Sequence, residues 1–326
     1  MSLFWAIVLL PVGIAVLVKG ADWLVDGAVA LAERLGMTPL IIGLTIVAMG
    51  TSAPEIAASI AAALSGSGDI AVGNIYGSNI ANLALVAGLC AAIRPITVRR
   101  VALRRDLPLM LAATLALWLV FSDTNLSRIE SLILIFFFCG ILALMVHTER
   151  LRALADRQVL SELETRIEHA AAHIPQSLLL SVILLAVGLG CLAGGAHLTV
   201  LSASVLGRAA GISEAVIGLT IVAVGTSLPE LSTCLVASVK GHDDLSIGNL
   251  VGSNIFNALL VPGTAGLVRP FEISNRLAGI DYWLMATVSL IFAVIAFTQR
   301  RIGRPAGVLL FAGYCGYMAY LFLLNR

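Results

Sequence analysis

Gly43-Leu-Thr-Ile-Val-Ala-Met-Gly-Thr-Ser-Ala-Pro-Glu55 recurs 175 residues later as Gly218-Leu-Thr-Ile-Val-Ala-Val-Gly-Thr-Ser-Leu-Pro-Glu230. The two copies share 11 of 13 positions. Each is an apolar run that ends in small residues, a proline and a glutamate. If these runs cross a membrane, both carboxylates sit deep inside it. That placement is costly, so the duplicated glutamates mark a functional site by default.

Composition supports the membrane premise. Of 326 residues, 59% are hydrophobic and 12% charged, against about 25% charged in a soluble domain. Mean hydropathy is +1.00. Most of the chain falls into apolar runs near the roughly 20 residues a helix needs to span the hydrocarbon core. Such runs are too continuous for barrel strands, and only helices or closed barrels satisfy the backbone in lipid. The expected class is an all-α integral membrane protein in contact with the lipid bilayer. A net charge of +1 points to no nucleic-acid partner. The cysteines Cys90, Cys139, Cys191, Cys234 and Cys315 form no CxxC pair, and are read as small buried hydrophobes. Met1 to Trp5 carries no positive charge, so the N-terminal run reads as a first span rather than a signal peptide.

Ten spans are expected. The first starts near Leu3; the next four cover about Pro39 to Leu64, Ile70 to Ile93, Leu107 to Phe121 and Ile129 to Val146. Five more start near Gln176, Glu214, Leu245, Asp281 and Pro305. Late in the first span, Lys19 reads as a snorkelling side chain; Asp22 and Asp26 have no assigned role. The repeat extends beyond the opening stretch. Asp69-Ile-Ala-Val-Gly-Asn-Ile-Tyr-Gly-Ser-Asn-Ile-Ala-Asn82 matches Asp244-Leu-Ser-Ile-Gly-Asn-Leu-Val-Gly-Ser-Asn-Ile-Phe-Asn257 at eight of 14 positions. Arg94-Pro95 likewise falls on Arg269-Pro270, and Asp106 on Asp281. This divides the chain into a five-helix repeat at 1–148 (motif 43–82), a polar cytoplasmic linker at 149–175 and a second five-helix repeat at 176–326 (motif 218–257). An odd number of spans per half turns the second half over, giving two inverted-topology repeats with a site near the midplane where they meet. By the positive-inside rule the arginine-rich side is cytoplasmic and both termini lie outside: that side carries 14 Lys and Arg against 5 on the other, with Lys19 left out as part of a span.

The motif chemistry is oxygen-only. Pro54 lacks an N–H and kinks its helix, and Gly50 adds permissiveness. Carbonyls around Ala48 to Thr51 are thereby freed, and in a bilayer they need other partners. Thr51 and Ser52 add hydroxyls and Glu55 a carboxylate; Ala223, Thr226, Ser227 and Glu230 repeat the set from the opposite direction. Ser78 and Asn82, four apart, share a helix face, as do Ser253 and Asn257. Such an environment suits Ca²⁺ and similar hard cations.

Gly-Thr-Ser-x-Pro-Glu followed by Gly-Asn-x-x-Gly-Ser-Asn-Ile, twice in register, resembles the two alpha-repeats of the cation/calcium exchanger superfamily, the sodium/calcium antiporters. The resemblance covers nearly the whole chain outside the linker. It implies a ten-helix secondary antiporter of the prokaryotic plasma membrane that exchanges Na⁺ for Ca²⁺ by alternating access, with no cofactor. Glu55 and Glu230 would share the Ca²⁺, completed by the carbonyls of Thr51 and Thr226. Sodium sites would draw on Ala48, Ser52, Glu55 and Ser78, and on Ala223, Ser227, Glu230 and Ser253, with Asn82 and Asn257 closing the centre. Relatives often carry aspartate at one of these last two positions. Asparagine at both leaves two carboxylates and weakens the likeness to the potassium-dependent branch.

Rival readings are a proton-coupled Ca²⁺ antiporter using the same carboxylates and a cation channel, which usually needs rotational symmetry. Gly66-Ser67-Gly68-Asp69 matches an intramembrane aspartyl protease pattern, but Asp244, its repeat partner, lacks it. No enzyme is expected, and Asp69 and Asp244 are read as helix caps. His169 and His173 read as a solvated helix face, and His197 as a satisfied core residue.

Overall fold

The computed structural model describes residues 1–164, 177–211 and 223–324. The helices in order are α1 Leu3–Leu35, α2 Pro39–Thr51, α3 Ala53–Leu64, α4 Gly68–Ile93, α5 Leu107–Phe121, α6 Arg128–Glu164, α7 Leu178–Ala209, α8 Ala223–Thr226, α9 Leu228–Val239, α10 Asp243–Val268, α11 Leu277–Gln299 and α12 Arg304–Leu324. Four two-residue strands, β1 Ile96–Thr97, β2 Asn125–Leu126, β3 Phe271–Glu272 and β4 Arg301–Ile302, join them at the ends.

Among the described residues six helices are long and apolar enough to cross a membrane, or seven when the bent pair α2 and α3 is counted as one span. This count does not confirm the expected ten: α5 has 15 residues, and the span expected to start near Glu214 lies partly outside the described residues. The helix expected to end at Val146 continues to Glu164, so the stretch read as linker begins as helix. His169 and His173 lie outside the described residues.

The polarity of the molecule is that of a multi-pass membrane protein. Phe4, Phe136, Leu179 and Leu309 are exposed, while Glu55, Glu230, Asn82 and Asn257 are buried. That is the reverse of the ordinary distribution in water and matches an apolar solvent around a polar centre.

The sequence repeat is a structural two-fold. Ser2 and Ser177, 175 apart, both cap helices by accepting from the backbone N–H three residues on. The left-handed residues also pair: Gly36 with Gly211, Gly66 with Gly241 and, one residue out of that register, Thr124 with Arg300. β1 pairs with β4, and β2 with β3. Exchanging the halves carries β1 onto β3 and β2 onto β4, so one strand pair becomes the other. Since β1 and β2 bracket α5 at opposite ends, the operation swaps the two ends of the bundle. Its axis lies across the helices, and the topology is inverted, as expected.

Close approach of helices sets the core. A Cβ on Gly20 of α1 would lie 2.7 Å from Cys191 Cβ of α7, and one on Gly188 the same distance from Leu24 N. These two long helices therefore pack backbone to backbone. At the centre, a Cβ on Gly43 of α2 would lie 2.7 Å from the Leu245 carbonyl of α10. That crossing delivers the first motif of one half to the second motif of the other.

Asp69 and Asp244 are not caps. Ser67 and His242 hold the N-cap positions, neither with a side-chain cap bond. Asp69 instead accepts from Ser274 N at 2.7 Å, and Asp244 pairs with Arg99 at 2.7 Å. Both carboxylates tie one half to the other, because the loops of opposite halves meet at each end. His197 is exposed rather than a core residue. Cys90 and Cys234 are buried as expected, whereas Cys139 and Cys315 are exposed.

Candidate functional site

The helix carrying Glu55 breaks two residues before Pro54. Ser52 takes φ −84°, ψ 4°, and α2 and α3 meet at a bend of 43°. Pro54 then occupies the first turn of α3, where its missing N–H is tolerated. Ser227 repeats the geometry at φ −89°, ψ 3°, ahead of Pro229. Residues 218–222 of the second opening motif lie outside the described residues.

Each glutamate thus sits in the first turn of a 12-residue helix. Helix N-termini favour negative charge, while the C-terminal carbonyls of the segments just before, α2 and α8, present partial negative charge. An interrupted helix of this kind holds a carboxylate and points backbone oxygens at the same place. At Ala48 the expectation of a freed carbonyl is not met in this conformation. Its oxygen accepts from Ser52 N at 2.9 Å and lies 3.3 Å from the Thr51 hydroxyl.

The asparagines come from a different local device. Asn82 lies in the π-helical segment Ala81–Val86 and Asn257 in Phe256–Leu260. A π turn accommodates an extra residue and recurs at functional sites. Here it interrupts the two most central helices, α4 and α10, at matching positions.

Hydrogen bonds knit these residues both within a half and across the two-fold. Ser52 Oγ donates to Glu230 Oε1 at 3.3 Å, and Ser78 Oγ to Glu55 Oε1 at 3.5 Å. Thr51 Oγ1 donates to Asn249 Oδ1 at 3.1 Å and lies 3.4 Å from Ser253 Oγ. Glu55 is 1% exposed and Glu230 0%. Several buried atoms of this group have no hydrogen-bond partner: Oε2 of both glutamates, the Ser227 hydroxyl, and both side-chain heteroatoms of Asn82 and Asn257. Buried polar groups are nearly always paired, and the unpaired oxygens among these atoms are an arrangement suited to a cation.

Of the twelve residues expected from the sequence, Thr51, Ser52, Glu55, Ser78, Glu230 and Ser253 belong to these interhelical contacts. Asn82, Asn257 and Ser227 are buried with unpaired polar atoms. Ala48 and Ala223 lie in α2 and α8 and Thr226 ends α8. Asn74 and Asn249 were missed. Asn74 Nδ2 donates to the Glu55 carbonyl at 3.1 Å and to Ser59 Oγ at 2.9 Å. Asn249 Nδ2 meets Cys234 Sγ at 3.4 Å. The signal was present: each stands four residues before the motif serine, on the same helix face.

Inverted halves meeting at a buried oxygen-lined centre define a membrane transporter of the inverted-repeat class. The family model described as sodium/calcium exchanger protein matches residues 5–147 and 180–323, and the chain belongs to that family. It is 40% identical over 321 residues to inner membrane protein YrbG of Escherichia coli (strain K12), covering 98% of each chain. It is 31% identical over 349 residues to sodium/calcium exchanger MaX1 of Methanosarcina acetivorans, covering 96% of this chain and 97% of the other. The solved structure of the sodium-calcium exchanger NCX_Mj soaked with zero Na⁺ and Ca²⁺ is similar at a TM-score of 0.82 and 28% identity, covering 98% of this chain and 100% of that one. The chain is thus a multi-pass membrane cation exchanger.

Proposed function

We propose that this protein exchanges Na⁺ for Ca²⁺ by alternating access, with Glu55 and Glu230 as the shared carboxylate pair. One observation carries the reading: two fully buried carboxylates from opposite halves, each with one oxygen lacking a hydrogen-bond partner. Desolvating a carboxylate costs several kcal/mol, roughly, unless an opposite charge offsets it. Among the described residues no lysine or arginine forms an ion pair with either glutamate, so the compensating charge is the transported ion. Two carboxylates neutralise one Ca²⁺, and oxygen ligands in that number and variety suit it.

Thr51 and Thr226 carbonyls would complete the Ca²⁺ shell. Ala48, Ser52 and Ser78, with Ala223, Ser227 and Ser253, would serve Na⁺, and Asn82 and Asn257 the central position. Three Na⁺ in place of one Ca²⁺ would carry one net charge, worth about 2.3 kcal/mol per 100 mV. The cell membrane of a prokaryote is the setting this reading implies, consistent with a relative named as an inner membrane protein. The arginine-rich loops would face the cytoplasm and both termini the outside. The molecule would act as a transporter rather than an enzyme.

Protons would neutralise the same unpaired oxygens, which makes proton coupling the second reading. Purified protein in liposomes distinguishes them. Ca²⁺ uptake should follow an imposed outward Na⁺ gradient and ignore a pH gradient. Uptake driven by the pH gradient alone would sink the sodium assignment, and uptake without any counter-ion gradient would indicate a channel.

A further inference from the structure

Asn249 lies behind the transport centre on α10, at 0% exposure. Both ends of its amide are used. Oδ1 accepts from the Thr51 hydroxyl of the opposite half at 3.1 Å, and Nδ2 meets Cys234 Sγ at 3.4 Å, one turn beyond Glu230 on α9. The thiol in turn is 3.6 Å from the Ser246 carbonyl. At the matching position in the first half, Asn74 makes the corresponding contact with Ser59, which stands where Cys234 stands, and reaches the backbone carbonyl of Glu55.

We infer that Asn249 and Asn74 are positioning residues of the exchange, holding the bent turns that carry Thr51 and Glu55 without contacting the ion. Resting on the site reading above, this extends it to residues whose own polar atoms are turned to protein partners. The physical need is plain. Ser52 sits in the sparsely populated bridge region, so the turn it forms is held by its surroundings rather than by helical regularity. Thr51 is the last residue of α2 before that break, and its hydroxyl is the handle Asn249 holds. Asn74 holds the next turn by the carbonyl of Glu55 itself. An amide suits both tasks because one planar group carries two N–H donors and an acceptor: Asn249 accepts with one end and donates with the other, Asn74 donates twice from Nδ2, and each ties its turn to the helices packed against it.

The assignment separates Asn249 from Asn82 and Asn257, whose amides have no protein partner and which the site reading places at the ion. Loss of a positioning contact should weaken Ca²⁺ binding with little change in maximal turnover, because the two carboxylates remain.

The test is Ca²⁺ uptake by the full-length protein in liposomes, with KM and maximal rate measured for Asn249→Ala, Thr51→Val and the double variant. Valine keeps the shape and carbonyl of Thr51 but removes the hydroxyl. Each single variant should raise the Ca²⁺ KM about five- to ten-fold, the size of one buried hydrogen bond, with the maximal rate within about two-fold and the double variant no worse than either single. Asn74→Ala should raise KM comparably. Additive effects in the double variant, or an unchanged KM in Asn249→Ala, would overturn the positioning role. If Asn249→Ala fails to fold, Thr51→Val alone still decides, since an unchanged KM there removes the contact from the mechanism. Wild-type liposomes that take up no Ca²⁺ under any counter-ion gradient would instead overturn the reading of the site, and the positioning role with it.

Discussion

Glu55 and Glu230 each keep one carboxylate oxygen on a serine hydroxyl and leave the other unpaired. An unpaired buried acceptor costs about 1–3 kcal/mol, and more when charged. The expected consequence is a protein whose stability depends on its ion. At Ca²⁺ one hundred times Kd, linkage adds about 2.7 kcal/mol, so the thermal midpoint in detergent should rise on titration with Ca²⁺. Glu55→Gln and Glu230→Gln should each abolish exchange in liposomes and erase that rise. They should also be no less stable than wild type without Ca²⁺, since a neutral amide removes the uncompensated charge. Full activity in either variant would remove that glutamate from the site. Both residues were legible in the sequence, because a duplicated glutamate in an apolar run has few structural explanations. Asn74 and Asn249 were harder to separate from their neighbours. A motif rich in serine and asparagine shows which residues share a face, but not which amide faces the ion and which is turned to a thiol or a carbonyl.

At the scale of the helix, the site is made by interruptions. The break at Ser52 and the π turns at Asn82 and Asn257 all fall in helices that pack across the two-fold. Proline and glycine announced the first of these. Nothing in Ala81 to Val86 or Phe256 to Leu260 announces a π turn, which arises from packing rather than from a breaker residue. The crossing of α2 and α10 depends on glycine at contact. A side chain on Gly248 would press on the Leu40 carbonyl and come within 3.0 Å of Leu44 N, both backbone atoms that cannot turn aside. Gly248→Val should therefore destabilise by about 1–3 kcal/mol or more, the usual cost of overpacking, seen as a lowered midpoint in thermal unfolding. Ca²⁺ exchange should fall with it, because the same crossing brings Thr51 to Asn249 and Ser253. An unchanged midpoint would show that α2 and α10 are not held this closely.

The whole molecule is a two-fold with one marked asymmetry. Lys240, just beyond the end of α9, reaches back to α1 and pairs with Asp22 at 2.5 Å and Asp26 at 2.6 Å. In the other half the matching residues are Ser65, His197 and Leu201, so only one end of the molecule carries this tie. Asp22 also pairs with Lys19 at 2.6 Å, which gives the two aspartates and the lysine left over from the first span a common role. Burial works against the Lys240 charge, but hydrogen bonds to Asp22 and then Asp26 outweigh it and hold its pKa above the ordinary lysine value. A raised folded-state pKa means the contribution is complete below about pH 10.4 and is lost only as pH rises through the folded value. Lys240→Ala should accordingly cost up to about 1 kcal/mol at pH 7, unchanged between roughly pH 6 and 9. Thermal unfolding across that range checks it; a cost that varied strongly with pH there would mean that another group sets the interaction.

Hydropathy, the 175-residue repeat and the glutamates in apolar runs determined the class of molecule, the inversion of its halves and the residues at its centre. These follow from local constraints: lipid forbids open backbone, and an odd number of spans reverses the second half. The tertiary structure alone decided the rest. It carried the helix after Arg128 through to Glu164, and it moved Asp69 and Asp244 from capping their own helices to binding the opposite half. The opening stretch Gly43 to Glu55 shows the division most clearly. Its oxygens were evident in the sequence. Which of them stay with the helix, as at Ala48, and which meet the other half, as at Thr51 and Ser52, depends on where two inverted surfaces touch. That contact joins residues nearly two hundred positions apart and leaves no periodic signal along the chain.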